Sequence, residues 1–131
     1  DIYIYSRKTR VVGLFVGQEN PYHQKLGIEI SPCDTPIGEA ASSGSMGRSL
    51  SFGKAATAVT LAPSVILADA AATALANRVY QSDQSVLKKA GQTISSVPGV
   101  LGHLIISGKY LEAGGQINLV ALSAKKGKNI W

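Results

Sequence analysis

The sequence predicts an α+β fold, a mainly antiparallel sheet with two helices packed on one face. Six segments are rich in β-branched or aromatic residues, and short hairpin-like connections join most of them. Only two stretches read as helix, and no internal repeat at solenoid periods competes with this assignment. At 131 residues the chain is sized for one domain, placed at residues 1–122 with a polar tail over 123–131.

Ile2 to Tyr5 and Val11 to Val16 read as a hairpin across the polar stretch Ser6 to Arg10. Gly17 to Gln24 reads as a loop, and Lys25 to Ser31 alternates apolar and polar side chains as a half-buried strand does. A turn over Pro32 to Pro36 follows. Ile37 to Lys54 is dense in Ser and Gly and short of large apolar residues, so it reads as a long loop, a length that usually carries function. Ala56 to Leu61 resumes as a strand. The first helix spans Pro63 to Tyr80. Pro63 suits a first helical position, and an Ala-rich run without Gly continues to Val79. The second helix spans Asp83 to about Ser95, with Ser82 as its N-cap and Pro98-Gly99 beyond its end. Val100 to Ile106 and Gln116 to Leu122 are the last strands, joined by the turn-rich Ser107 to Gly115.

Hydrophobic residues make up 45% of the chain, enough for a core and too many for a disordered polypeptide. The net charge of +5 does not by itself indicate a nucleic-acid surface. Arg7, Lys8, Arg10 and Lys25 lie at predicted strand ends and Lys125, Lys126 and Lys128 in the tail, where solvent accounts for them. Tyr3, Tyr5 and Tyr22 stand near some of these cations, but no recognition motif accompanies them, which argues against nucleic acid as a partner. A positive field suits a phosphorylated small molecule. Cys33 is the only cysteine, so no intrachain disulfide forms, and a reducing, cytoplasmic setting is expected. The longest weakly polar run, Ala55 to Ala76, is interrupted by Thr57, Thr60, Pro63, Asp69 and Thr73, so no membrane span is expected. The chain opens at Asp1 directly on a strand-like run, as expected of a processed or excised polypeptide.

Two groups of residues stand out for chemistry. Asp69, Thr73 and Asn77 are spaced i, i+4, i+8 and form one polar stripe on an otherwise apolar helix. A carboxylate on a largely buried helix needs a partner, and a carboxylate with a hydroxyl one turn away offers two hard oxygen ligands for Mg²⁺. Spacing alone leaves open the simpler alternative, a narrow polar stripe facing solvent. The second group is the Ser/Gly segment. Ser42, Ser43, Gly44, Ser45, Ser49 and Ser51 offer hydroxyls and backbone N–H groups, and Lys54 adds charge, a suitable wall for phosphate or a polar ring system. It matches neither a P-loop nor a nucleophile elbow, and a flexible polar loop is the competing account. His23 and His103 match no zinc spacing, and His103 reads as structural.

The run SSGSMGRSLSFGKAATAVTLAPSVILADAAATALAN, Ser42 to Asn77, resembles a group of uncharacterised bacterial and archaeal proteins related to ApbE, the FAD:protein FMN transferase. In that group an S-L-S-F-G-K-A element leads through a strand to L-A-D-A-A-A-T-A, here Leu67 to Ala74. The opening Asp1-Ile2 resembles the end of a G-G-D-I element. The resemblance extends over most of this chain but only about the C-terminal half of a typical member. It implies an ApbE-like, T-fold-related α+β domain and, by residue and spacing, a Mg²⁺-ligand role for Asp69 and Thr73. It also implies FAD or FMN as cofactor, and as partner the missing N-terminal half of the same protein or a second fragment, with self-association into a homo-oligomer left open. The expected function is an uncharacterised ApbE-like protein binding a flavin or other phosphate-bearing ligand with Mg²⁺. Two alternatives are an accessory protein in sulfur amino-acid (homocysteine) biosynthesis and an FMN transferase acting on Ser or Thr of a target protein. Whether the chain is an enzyme stays open.

Overall fold

The computed structural model describes residues 1–44, 55 and 57–122. Along these residues run β1 (Ile2–Ile4), β2 (Arg10–Gly13), β3 (Leu26–Ile30), β4 (Ile37–Ser42), β5 (Thr57–Ala62), α1 (Val65–Asn77), α2 (Gln84–Ser95), β6 (Gly102–Ser107), β7 (Tyr110–Gly115) and β8 (Leu119–Ala121). A single 3-10 turn, Pro32–Asp34, lies between β3 and β4. The strands form a five-stranded sheet in the order β1-β4-β5-β6-β7 and a three-stranded sheet in the order β2-β3-β8, with every pairing antiparallel. This is the α+β class expected, with both helices on one face of the larger sheet. The smaller sheet covers the other face.

Period-two alternation in the central strands sorts side chains by size between those faces. Val59 and Leu61 of β5 and Leu104 and Ile106 of β6 join Leu14, Val16, Ile28 and Ile30 in the core between the sheets. On the opposite face β4 and β5 present small residues to α1, while β6 turns His103 and Ile105 toward α2. Ala40 and Ala62 meet Ala68 and Ala72 of α1. Gly38 lies directly under the start of α1, where an added Cβ would fall 2.6 Å from the Val65 nitrogen. Small residues on both partners let the helix lie close on β4 and β5. At that distance the Thr60 hydroxyl donates to the Ala68 carbonyl of α1 across 2.6 Å.

The helix ends follow local capping chemistry. The Ser64 hydroxyl accepts the N–H groups of Ile66 and Leu67 at 3.2 and 3.3 Å, so Ser64 is the N-cap and Pro63 precedes the helix. Asp83 caps α2, its carboxylate accepting from Ser85 N–H at 2.8 Å and Ser85 Oγ at 2.6 Å. Those bonds, the side-chain one foremost, hold the Asp83 carboxyl below its usual range. Ser82, expected as that cap, instead shares a 2.6 Å hydroxyl contact with Ser107.

Three expectations about the strands are corrected. β1 and β2 form no hairpin: Ile2 pairs with Glu39 in one sheet and Arg10 with Ile30 in the other. The chain changes sheets at Ser6, whose carbonyl accepts from the Thr35 hydroxyl at 3.2 Å. The first part of the expected loop, Ile37–Ser42, is strand β4, its small residues being what a strand beneath a close helix requires. Tyr110–Gly115, expected as turn, is strand β7, because Gly108 (φ 57°) turns the chain within two residues and Ser107 pairs with Tyr110. Among the described residues no helix is long and apolar enough to cross a membrane.

If close α1 packing organises this layer, Gly38→Ala will lower stability by about 1–3 kcal/mol, because the new methyl meets backbone of Ser64 and Val65. Ser64→Ala, which removes only a cap, will cost about 1 kcal/mol. Urea denaturation of both variants checks the ordering, and a Gly38→Ala protein as stable as the parent contradicts it.

Candidate functional site

Helix α1 buries Ala68, Ala71, Ala72, Leu75 and Ala76, leaving Asp69 and Asn77 exposed and Thr73 half-buried. The polar stripe therefore lies outside the core. The expectation that burial would oblige Asp69 to find a partner does not hold, since water reaches the carboxylate. Among the described residues neither the Asp69 carboxylate nor the Thr73 hydroxyl makes a hydrogen bond or ion pair, so both oxygen groups are open to a ligand.

The direction of that flank follows from the opposite one. Leu67 reaches toward Gly99 beyond α2, where a Cβ would lie 2.7 Å from Leu67 Cδ2. At 3.6 residues per turn Asp69 and Thr73 lie on the other side of α1, toward the β4–β1 edge of the sheet. Because β5 and β4 are antiparallel and α1 turns back after β5, α1 and β4 run in the same direction. From Gly38 beside Val65, four strand residues advance about 13 Å, the length of about nine helical residues. Ser42 thus comes level with the neighbourhood of Thr73. Ser42 is buried, Ser43 and Gly44 are half-buried, and Gly44 N–H donates to the Ala55 carbonyl at 2.8 Å, so that amide is not available to a ligand. Ser45, Ser49, Ser51 and Lys54 lie outside the described residues.

A second constellation was not foreseen. Buried His103 on β6 holds Glu112 of β7 at 2.6 Å through Nε2, and its Nδ1 lies 3.2 Å from Ser95 Oγ at the end of α2. Glycines make room for the ring. A Cβ on Gly91 would stand 2.5 Å from Nε2, and one on Gly114 would stand 2.5 Å from Cε1. The order hydroxyl, imidazole, carboxylate is that of an activated nucleophile. However, Ser95 is the last residue of α2, where the helix presents carbonyls and the negative end of its dipole. That end favours a cation and opposes a developing oxyanion, so the trio serves as a cross-link between α2 and the β6–β7 hairpin. Glu112 escaped notice because its segment read as turn. His23 has a similar structural role, its Nδ1 accepting from the N–H groups of Val16 and Gly17 at 3.3 and 3.1 Å.

Glu39 was hidden in the small-residue run of β4. It faces the smaller sheet, opposite Leu61, is only 5% exposed, and its Oε2 has no hydrogen-bond partner. Burial pushes its carboxyl up to about 7, with a smaller opposing pull from the amino-terminal ammonium. A carboxyl titrating near neutrality suits proton transfer, but the five-stranded sheet separates it from Asp69 and Thr73. Among the described residues no group of three or more His, Cys, Asp or Glu gathers as a metal site.

A three-layer α+β domain with an Asp-x-x-x-Thr flank on its first helix is the class that fold and site define. The chain belongs to the family described as AbpE bacteria, whose model matches residues 1–107. It is 38% identical over 117 residues to a UPF0280 protein of Methanosarcina acetivorans, covering 89% of this chain and 45% of that protein. It is likewise 38% identical to a UPF0280 protein of Methanocella arvoryzae, covering 89% and 46% of the two chains. A UPF0280 protein of Methanopyrus kandleri is 32% identical over 119 residues, covering 88% and 48%. The chain therefore spans just under half the length of these relatives.

The position of Glu39 has a pH consequence. Between the ordinary value of 4.5 and the folded value of about 7 the native protein binds a proton that the unfolded chain does not. Stability is then greatest, as far as this group goes, below the lower value, and falls by about 3 kcal/mol as pH rises through that window. Glu39→Gln will flatten this dependence. Urea midpoints of both proteins on either side of the window test it, and an unchanged difference between them at the two pH values refutes it.

Proposed function

We propose that the domain binds a flavin or a related phosphate-bearing ligand together with Mg²⁺, with Asp69 and Thr73 as protein ligands to the metal. The observation that carries this is the pair of unengaged oxygen groups one turn apart on the β4-side flank of α1. Mg²⁺ takes one or two protein oxygens and completes its octahedron with water and substrate phosphate, so a two-residue site suits it. Bound there, the ion would neutralise phosphate charge. Ser42 and Ser43, leaving β4 at that level, form the adjoining wall. The kinship we infer between the AbpE bacteria family and the ApbE flavin transferases adds support, since it assigns Asp69 and Thr73 the same task. We place the remaining wall of the pocket in the part of the longer relatives that this chain does not match. The exposed, unpaired Cys33 suits the cytoplasm as the setting.

Titrating FAD and FMN in the presence and absence of MgCl2, into both this chain and a full-length UPF0280 relative, tests the proposal. Flavin binding will strengthen with Mg²⁺, and Asp69→Ala will weaken the Mg²⁺-dependent part by about tenfold or more. Flavin affinity indifferent to both the metal and the substitution rules the site out.

A further inference from the structure

A groove of about 380 Å³ opens between the end of α1 and the outer face of α2. Its floor is apolar, made by Val86 and Ala90 of α2, both buried. Its walls are polar. Lys89 and Thr93 follow the same α2 face at helical spacing, and Asn77, Arg78 and Tyr80 come from the end of α1 and the connector behind it. Val79 is fully buried between Arg78 and Tyr80 and anchors the connector, so its two neighbours reach outward.

Charge and shape agree on the kind of occupant. Among the described residues no carboxylate lines the groove and neither Arg78 nor Lys89 makes a salt bridge. The α1 carbonyls contribute about half a negative charge at this end, against two full positive charges. The local field therefore attracts an anion. Tyr80, which lines the same groove, is 69% exposed. An aromatic face over an apolar floor takes a planar ring, while an Arg fork and a Lys point charge from different elements take a phosphate. The Thr93 hydroxyl donates to the Lys89 carbonyl at 3.1 Å, which leaves its oxygen as an acceptor for a ligand hydroxyl.

We propose that this inter-helix groove is a binding site for a small planar phosphate ester of the nucleoside monophosphate class, with Arg78 and Lys89 holding the phosphate and Tyr80 the ring. The site needs no metal and does not involve Asp69, so it stands whether or not the Mg²⁺ site does.

The probes are AMP, adenosine and inorganic phosphate, titrated into this chain in EDTA and followed by amide chemical shifts. AMP is expected to bind in the range of about 0.1–1 mM, shifting amides of Arg78 to Tyr80 and Lys89 to Thr93. Adenosine and phosphate alone will each bind at least about tenfold more weakly. Arg78→Ala and Lys89→Ala will weaken AMP by about tenfold each, and Tyr80→Ala by several-fold. All three side chains are exposed, so these variants will fold, as circular dichroism will show. Asp69→Ala will leave AMP binding unchanged. The proposal is overturned by absence of AMP binding up to about 10 mM, by phosphate binding as tightly as AMP, or by binding that survives loss of both cations. It is equally overturned if Asp69→Ala abolishes the binding, since the ligand would then belong to the other site.

Discussion

The close approach of α1 to β4 and β5 is the constraint on which the rest of this domain depends. A helix can lie so near a sheet only where both surfaces lack bulk, and Gly38, Ala40 and Ala62 meet Ala68 and Ala72 there. The Thr60 hydroxyl then reaches a helix carbonyl that already serves the helix itself, tying the two layers by a bond a larger separation would break. The rotation of α1 follows. With alanines turned inward, Asp69 and Thr73 fall on one flank and Leu67 on the other, and the parallel run of β4 brings Ser42 beside the first flank. The placement of the candidate ligands is thus a by-product of packing small residues.

The opposite face of the same sheet obeys the reverse rule. Val59, Leu61, Leu104 and Ile106 are large and bury their side chains with Ile28 and Ile30 of the smaller sheet. Within that layer Glu39 is anomalous. Its carboxyl near neutrality and its unpartnered oxygen would draw attention in any survey for proton-transfer groups. Topology overrides the temptation, because a residue one position out of phase with Ala40 points away from α1 however near it lies in sequence. Glu39 and Asp69 therefore occupy opposite sides of one sheet, the first buried between the sheets and the second exposed to water.

Much of this was legible in the sequence where composition and periodicity agreed. α1 and α2, strands β3 and β5, and the α+β class follow from Ala-rich and β-branched runs punctuated by turns. Two of the failures are failures of composition. β4 turns Gly38, Ala40 and Ser42 toward α1 and β7 ends in Ala113-Gly114-Gly115, with Gly114 making room for the His103 ring, and such runs look like loops to any scale based on bulk. The hairpin expected of β1 and β2 failed because strand partners are chosen by long-range burial, which local spacing does not encode. Asp69 and Thr73 were legible as a pair with two open meanings. Their exposure removed the argument from buried charge while leaving their oxygen atoms accessible.

Helix α2 carries the remaining logic. Its sheet-facing side is fixed by the His103–Glu112 pair and the Ser95 contact, with Gly91 and Gly114 admitting the ring. A cross-link of that kind specifies orientation more than it adds stability, since a hydrogen bond made in the fold replaces one made to water. Orientation is what the outer side requires. Lys89 and Thr93 stand over the end of α1 only if α2 is held at one rotation about its axis, and the imidazole clamp sets that rotation from the other side. A polar network buried against β6 and β7 thereby governs the shape of a groove it never touches, and α1, held by its alanines, presents Arg78 and Tyr80 to the same space from the opposite wall.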